Sequence, residues 1–491
     1  MRKFLLPLLK FIFLEWKEMK KQIRTIAAAA SFVVIAGLAT TLVAQSADAT
    51  MDSAEAQARE TWRLTMHQTG VPGPGCFHAS YPSTQWEVVE CGRPSPHFNP
   101  RKGRNSITNQ LGDGKDYAAQ ASGSNLISSA EGLFLQTAGG SSVSGVRGDV
   151  AGTKNSVANV FMLQMNTQAP FNATASSFAT PACNGAPNGA AGCYGWQQFL
   201  FSQTQGPAPK SGQTSLPGAP GTTPGVFIEY WLYNWGSPCP VLPSWAGTGR
   251  WNDGGGGSCW FNGPMTYVPP QTAAELPGLV MTSSASAGQD VVSLSTTSGI
   301  YTYAEPSVLS LQKVWNQVEF NVFGDCCSTE ANFTGPTALV LKTSIDDGST
   351  SAPICESNDG TTAETNNLML GSCAAAGGSA PYIEFTESVP SPTASLVVKG
   401  PSGQTVASPY LFGDMYTFTI TGAANLPVTV DTVVNGVNQG MSASQGNTNA
   451  SGVFQSSAEF TPAWGYVAGT YTETWYVGGT PASPILFTLV E

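Results

Sequence analysis

Val314-Trp315-Asn316-Gln317-Val318-Glu319-Phe320-Asn321-Val322-Phe323 is an apolar run with a single carboxyl near its middle. Its β-branched and aromatic content predicts a strand. With a period of two, Val314, Asn316, Val318, Phe320 and Val322 share one face. Trp315, Gln317, Glu319, Asn321 and Phe323 share the other, which mixes a carboxyl, amides and aromatics. That face reads as the floor of a groove. Burying an unpaired carboxylate is costly, and an exposed sheet face has little need of two large aromatics. Glu319 is therefore the first candidate site residue. The plainer alternatives are a hydrogen-bonded carboxyl inside a sandwich and one on an exposed sheet face.

Runs of the same kind recur on both sides. Strands are expected at 159–166, 196–202, 226–235, 277–283, 290–297 and 338–344, separated by Gly, Pro, Ser and Asn clusters. Helical composition is confined to about 51–67, where Asp52 or Ser53 can cap an Ala-, Glu- and Arg-bearing segment. The pattern predicts an all-β protein. Loops such as 203–225 and the glycine run at 254–257 are long and polar, as recognition loops on a β-scaffold are.

The 491 residues exceed one ordinary core. Residues 1–49 read as an export signal: Lys20, Lys21 and Arg24 precede an apolar stretch, and Ala47-Asp48-Ala49 is a cleavage-type site. Either Met1 or Met19 can start it, and a retained anchor is the alternative to cleavage. Residues 50–150 form a lead segment with a helix and a disulfide, 151–388 a β-sandwich, and 389–491 a second sandwich. The break before the last falls at Glu387-Ser388-Val389-Pro390-Ser391-Pro392, beyond which the pattern changes. The last has no cysteine and has short strands expected at 394–399, 415–421, 428–433, 452–459 and 469–477. Its size and its ending, Gly469-Thr470-Tyr471-Thr472-Glu473-Thr474-Trp475-Tyr476-Val477-Gly478-Gly479, resemble bacterial immunoglobulin-like modules appended to secreted proteins. The expected location is outside the cytoplasm, with no membrane association once the signal is removed.

The formal net charge is −11, and removing residues 1–49 takes away more basic than acidic residues. So acidic a chain is a poor partner for nucleic acid or anionic lipid. All ten cysteines follow the signal, as expected of an oxidising compartment. Spacing pairs Cys76 with Cys91, Cys183 with Cys193 and Cys239 with Cys259. Cys326, Cys327, Cys355 and Cys373 form two more bridges in an order left open. No metal is expected, since no paired C-x-x-C set occurs and His67, His78 and His97 have no metal-site spacing. Asp346-Asp347-Gly348 and Asp359-Gly360 read as turns before calcium ligands.

No nucleophile elbow, H-E-x-x-H, phosphate loop or dinucleotide fingerprint is present, and a Ser-His-Asp set lacks a marked serine. Carboxyl and amide chemistry remain. Cys193-Tyr194-Gly195-Trp196-Gln197-Gln198-Phe199-Leu200-Phe201 opens a strand with two glutamines. Alternation over 226–235 puts Phe227, Glu229, Trp231, Tyr233 and Trp235 on one face, an aromatic platform holding a carboxyl. The plainer roles are strand-edge amides and core aromatics.

The succession of a cysteine-flanked Gln strand, an aromatic strand, the turn Ala287-Gly288-Gln289-Asp290 and the strand of Glu319 resembles the glutamic peptidases, or eqolisins. These are secreted acid proteases built on a bent antiparallel β-sandwich of the concanavalin type. The likeness covers about residues 155–345, and Ala331-Asn332-Phe333-Thr334-Gly335 resembles the segment after the family's glutamate. Glu229 stands one step out of the family's aromatic pattern, since it precedes Tyr230-Trp231.

The resemblance implies a catalytic pair of Glu319 with Gln197 or Gln198, substrate contacts from Glu229, Trp231, Tyr233 and Trp235, a polypeptide substrate and no cofactor. A carboxyl among aromatics has its charged form disfavoured by desolvation, which suits proton exchange in acid. The alternative is a non-catalytic extracellular protein whose aromatic groove holds glycan or peptide.

Overall fold

The computed structural model describes residues 43–94, 116–139, 142–146, 156–167, 179–206, 209–326, 329–334, 337–357, 362, 364–389, 391–422, 426–442, 444–449 and 452–491. Most of the expected export signal lies outside these residues, as do Cys327, Gly335 and the Asp359-Gly360 turn. The chain divides into two compact units between Thr61 and Trp62. Among the described residues the α-helix is Val43–Thr69, which begins upstream of the expected 51–67. No helix among the described residues is long and apolar enough to cross a membrane.

Strands dominate the rest. Two nine-stranded sheets form the larger part. The front sheet runs in the order Asn252–Gly255, Ser258–Asn262, Thr223–Tyr233, Tyr194–Gly206, Met162–Asn166, Gln317–Phe323, Tyr117–Gln120 and Ile354–Ser357, with Thr266–Tyr267 pairing beside Thr223–Tyr233. The back sheet runs Glu87–Val89, Gly75–Ala79, Gly299–Glu305, Asp290–Thr296, Val280–Ala285, Ser129–Gly139, Thr337–Asp346, Tyr382–Ser388 and Met369–Ala376. Pairing within both is antiparallel, so the expected all-β sandwich architecture is what the chain adopts.

The core between the sheets comes from alternation. Phe199, Phe201, Ile228, Leu163, Met165, Val318, Phe320 and Val322 point back from the front sheet, and Phe134, Leu294, Leu341 and Phe385 belong to the same buried cluster. A side chain of this size contributes about 1.5–3 kcal/mol when fully buried. Several strands of the expected lead segment, residues 50–150, join the two large sheets. Gly75–Ala79 and Ser129–Gly139 lie within the back sheet, and Tyr117–Gln120 pairs with the Glu319 strand. Beyond Ser388 the chain makes a four-stranded and a seven-stranded sheet from residues 393–490, around a cluster of its own that includes Phe418, Tyr471 and Trp475.

The bridges Cys76–Cys91, Cys183–Cys193 and Cys239–Cys259 form as spacing predicts. The open pairing resolves in part, with Cys355 bonded to Cys373 and Cys326 also disulfide-bonded. The glycine run turns a hairpin between Asn252–Gly255 and Ser258–Asn262. Gly255, Gly256 and Gly257 have φ of 78°, 61° and 82°, which side chains other than glycine rarely adopt.

Candidate functional site

Register places the candidate residues. Across the front sheet, Asn262 pairs with Glu229, Glu229 with Gln198, Gln198 with Asn166, Asn166 with Glu319, and Glu319 with Ala118. Directly paired residues point to the same side of a sheet, so these side chains form one transverse row. Five consecutive positions of that row are polar. The next row carries Gln164 opposite Asn321, and the row on the other side carries Trp260, Trp231 and Trp196.

Hydrogen bonds run along the row. Asn166 Nδ2 donates to Glu319 Oε2 at 2.8 Å, and Gln198 Nε2 donates to Asn166 Oδ1 at 2.8 Å. Gln164 Oε1 accepts from Asn166 Nδ2 at 3.1 Å and from Gln198 Nε2 at 3.4 Å. One asparagine thus links the two residues singled out for catalysis. Gln197 lies elsewhere: alternation turns it into the layer between the sheets, where its Nε2 donates to Asp290 Oδ2 at 3.2 Å. Of the two glutamines, Gln198 is the one beside Glu319.

The row is not the floor of an open groove. Glu319 and Gln198 are each 1% exposed, and Asn166 and Glu229 are fully buried. Asp325 accepts from Thr204 at 2.6 Å and from Ser202 at 3.2 Å, and Asn366 Nδ2 donates to the Val322 carbonyl at 2.9 Å. The face expected from 314–323 is shorter by one aromatic. The strand begins at Gln317, after a short 3-10 turn over Leu311–Lys313. Trp315 therefore falls into the core between the sheets, where its ring lies 5.7 Å from that of Phe199.

Glu229 accepts a hydrogen bond from the Trp231 indole at 2.6 Å, and its second oxygen has no hydrogen-bond partner. Burial pushes its carboxyl well above the usual range; the indole bond opposes this and the nearby Glu364 charge adds to it. Trp231 stacks with Tyr233 at 5.4 Å and with Trp260 at 5.9 Å. Trp235 does not join this platform. The strand ends at Tyr233, Asn234 turns with φ 54°, and Trp235 enters the main core with its indole donating to the Pro238 carbonyl.

Sequence alternation had not marked Gln164, Asn166, Asp116 or Glu387. Asn321 Nδ2 donates to Asp116 Oδ2 at 2.8 Å and to Glu387 Oε1 at 2.6 Å, which gathers a second carboxyl cluster beside Glu319. Desolvation raises Asp116 well above its usual range, and the charges of Glu319 and Glu387 add to the rise. Desolvation also pushes Glu387 up to about 8; amide hydrogen bonds from Asn321 and Asn366 lower it, and the Glu319 charge raises it. The signal for the amides was available, since Met162-Leu163-Gln164-Met165-Asn166 repeats the amide-every-second-residue pattern of the Glu319 strand.

A third acidic group lies between the sheets. Tyr303 donates to Glu305 at 2.5 Å, and Tyr230 donates to its other oxygen. Burial lifts Glu305 well above its usual range, and it lifts Asp290 to about 7. The turn Ser286–Gln289 that delivers Asp290 closes with a 2.9 Å backbone bond from Ser286 to Gln289. Among the described residues no group of three or more His, Cys, Asp and Glu is placed to hold a metal ion.

Compared with known proteins, the chain matches no family model, no curated protein and no solved structure.

Proposed function

We propose that the chain is an acid endopeptidase of the glutamic-peptidase type, with Glu319 as general base and acid and Gln198 as oxyanion donor. The observation that carries this reading is the shared row. Both side chains lie on one side of the front sheet, with Asn166 bonded to each. Glu319 takes a proton from water as the water oxygen bonds to a peptide carbonyl carbon. The carbonyl π pair moves to oxygen, where the Gln198 amide donates to the negative charge. The same proton then passes from Glu319 to the departing nitrogen as the C–N bond breaks.

The 3.4 Å bond from Gln198 to Gln164 is the weaker of its two, and it is the one exchanged for the oxyanion. Asn166 acts as a positioning residue, since it fixes Glu319 without meeting the substrate. Entry of an extended polypeptide requires the residues over this face to move aside, Asp325, Glu364 and Asn366 among them. Export to the cell exterior belongs to the same reading, supported by the disulfides, four of which have both cysteines among the described residues. The alternative, a glycan- or peptide-binding platform without catalysis, draws less support from this face. Trp231 and Trp260 stack on neighbouring rings and are buried at 1% and 4% exposure, so neither offers an open ring to a sugar.

The test is cleavage of an unfolded protein substrate between about pH 2 and 6 by wild type, Glu319→Gln, Gln198→Ala and Gln197→Ala, each checked for native circular dichroism. The reading expects acid-dependent cleavage that Glu319→Gln abolishes. Gln198→Ala should reduce kcat by about 100-fold, the scale of losing one oxyanion donor, and Gln197→Ala should keep most activity. Absence of cleavage by folded wild type across this range, or undiminished cleavage by Glu319→Gln, would overturn it.

A further inference from the structure

A cleft of about 670 Å³ opens between the two sheets of residues 393–490. Tyr416 and Phe418 line it from one sheet, and Tyr471, Glu473 and Trp475 line it from the other. Among the described residues that line it, Glu473 is the only acidic or basic one, and it is 4% exposed. One of its oxygens accepts the Trp475 indole N–H at 3.1 Å. The sole basic residue between Thr393 and Glu491 is Lys399, an exposed residue outside the lining. A buried carboxyl with no cation is costly. A glutamine carbonyl would accept the indole N–H equally well, so the packing of this segment gives no reason for an acid there.

The walls and the rim have matching chemistry. Tyr466 sits edge-on to Tyr416 with ring centres 5.7 Å apart, and the Tyr471 ring lies 5.7 Å from that of Tyr466. Val437, Trp464 and Val467 line the cleft and are 62%, 72% and 53% exposed, an apolar rim on an otherwise polar surface. The exposed Trp464 ring at the rim can face a cation, and the apolar rim suits an aliphatic stem that carries one.

We propose that this cleft receives lysine side chains of a polypeptide partner, with the ammonium against Glu473 and the stem across Val437 and Val467. The net charge of −11 favours approach of such a partner. Nothing in this proposal depends on the Glu319 row, so either reading can fail without the other.

The test is titration of the full chain with Nα-acetyl-lysine methylamide at pH 8, read by isothermal calorimetry and by tryptophan fluorescence. The comparison probe is the same compound acetylated on Nε, which keeps the stem and removes the charge. The proposal expects the charged probe to bind at least about ten-fold more tightly than the neutral one, the scale of a desolvated cation–π site with a carboxylate. Glu473→Gln should remove that preference. Trp464→Ala, at an exposed position, should weaken the charged probe without changing the melting temperature. The Trp464 variant and the two probes decide the matter even where the Glu473 variant fails to fold. Equal binding of both probes, no binding, or binding of neutral oligosaccharide in their place would overturn the proposal.

Discussion

Gln198 and Glu319 stand two strands apart in one row, and the Asn166 side chain between them donates to the carboxyl and accepts from the amide, each at 2.8 Å. An asparagine has one donor end and one acceptor end, so the direction of both bonds is fixed once the carboxyl is in place. The link sets the Glu319 carboxyl and the Gln198 amide relative to each other before any substrate arrives. A residue with an acceptor at both ends cannot make it.

Asn166→Asp is therefore expected to destabilise the fold, and more at neutral pH than in acid. At pH 7.5 it places a second carboxylate against Glu319 and leaves a buried acceptor without its donor, a loss on the order of 3 kcal/mol. Near pH 4 a proton shared between the two carboxyls restores a bond, and the loss should fall to about half. Urea unfolding at the two pH values measures the difference. Equal losses would show that the row is held by shape and not by the direction of its hydrogen bonds.

The buried acids give stability a definite pH sign. Desolvation raises Asp290 and Glu473 to about 7 and Glu387 to about 8, and it lifts Asp116, Glu229 and Glu305 as well. Unfolded carboxyls titrate near about 4. Between that value and the raised ones the fold holds protons that the unfolded chain releases, so stability falls as pH rises. The contribution is complete below about pH 4 and is lost progressively through pH 7 to 8, at about 1.4 kcal/mol per group for each unit of pH. Urea midpoints should be highest near pH 4 and decline toward pH 8.5. A midpoint that rises over this range would mean that these carboxyls are ionised in the fold.

How far the sequence discloses the site depends on which residues are asked about. Strand alternation is a local property, and it located Glu319, Gln198, Glu229 and Trp231 on strands before any partner was known. Strand ends were less legible: Trp315 and Trp235 leave their expected faces because a 3-10 turn and a left-handed asparagine intervene. Glu387 shows no alternation signal of its own in the sequence, since it adjoins the break at Pro390-Ser391-Pro392, yet it lies fully buried in the Tyr382–Ser388 strand. Pairing across long separations was the least legible. That Asp116 and Glu387 share Asn321 brings together residues 205 and 66 positions away from it, which no local pattern encodes.

The Cys239–Cys259 bridge ties the segment that leads toward the glycine hairpin to the strand that carries Trp260. It closes a loop of 20 residues. In the chain-entropy account a loop of that size contributes about 3 kcal/mol. Replacing both cysteines by alanine should lower stability by about that amount. The loss should appear in the urea midpoint with little change in the slope of the transition. A slope that changes strongly would mean that the unfolded chain is ordered around this bridge.

The Phe320 ring packs directly against Gly132 of the opposite sheet. A Cβ placed on Gly132 would lie 2.2 Å from Phe320 Cγ and within 2.5 Å of both ring Cδ atoms. The ring cannot retreat freely, since Phe134 packs 5.5 Å from it on the opposite sheet. Gly132 has no positive φ, so sterics alone oppose a side chain there. Gly132→Ala is expected to cost about 1–3 kcal/mol through overpacking. Phe320→Leu leaves a cavity and should cost a similar amount alone, yet the double variant should lose less than the sum, because the smaller side chain admits the new methyl. Gly288→Ala, where nothing lies within 4 Å, is the control and should change stability by no more than about 0.5 kcal/mol. Additive losses in the double variant would show that the sheets separate to admit the methyl group. Sub-additive losses would show that the Phe320 ring sets their spacing directly behind Glu319.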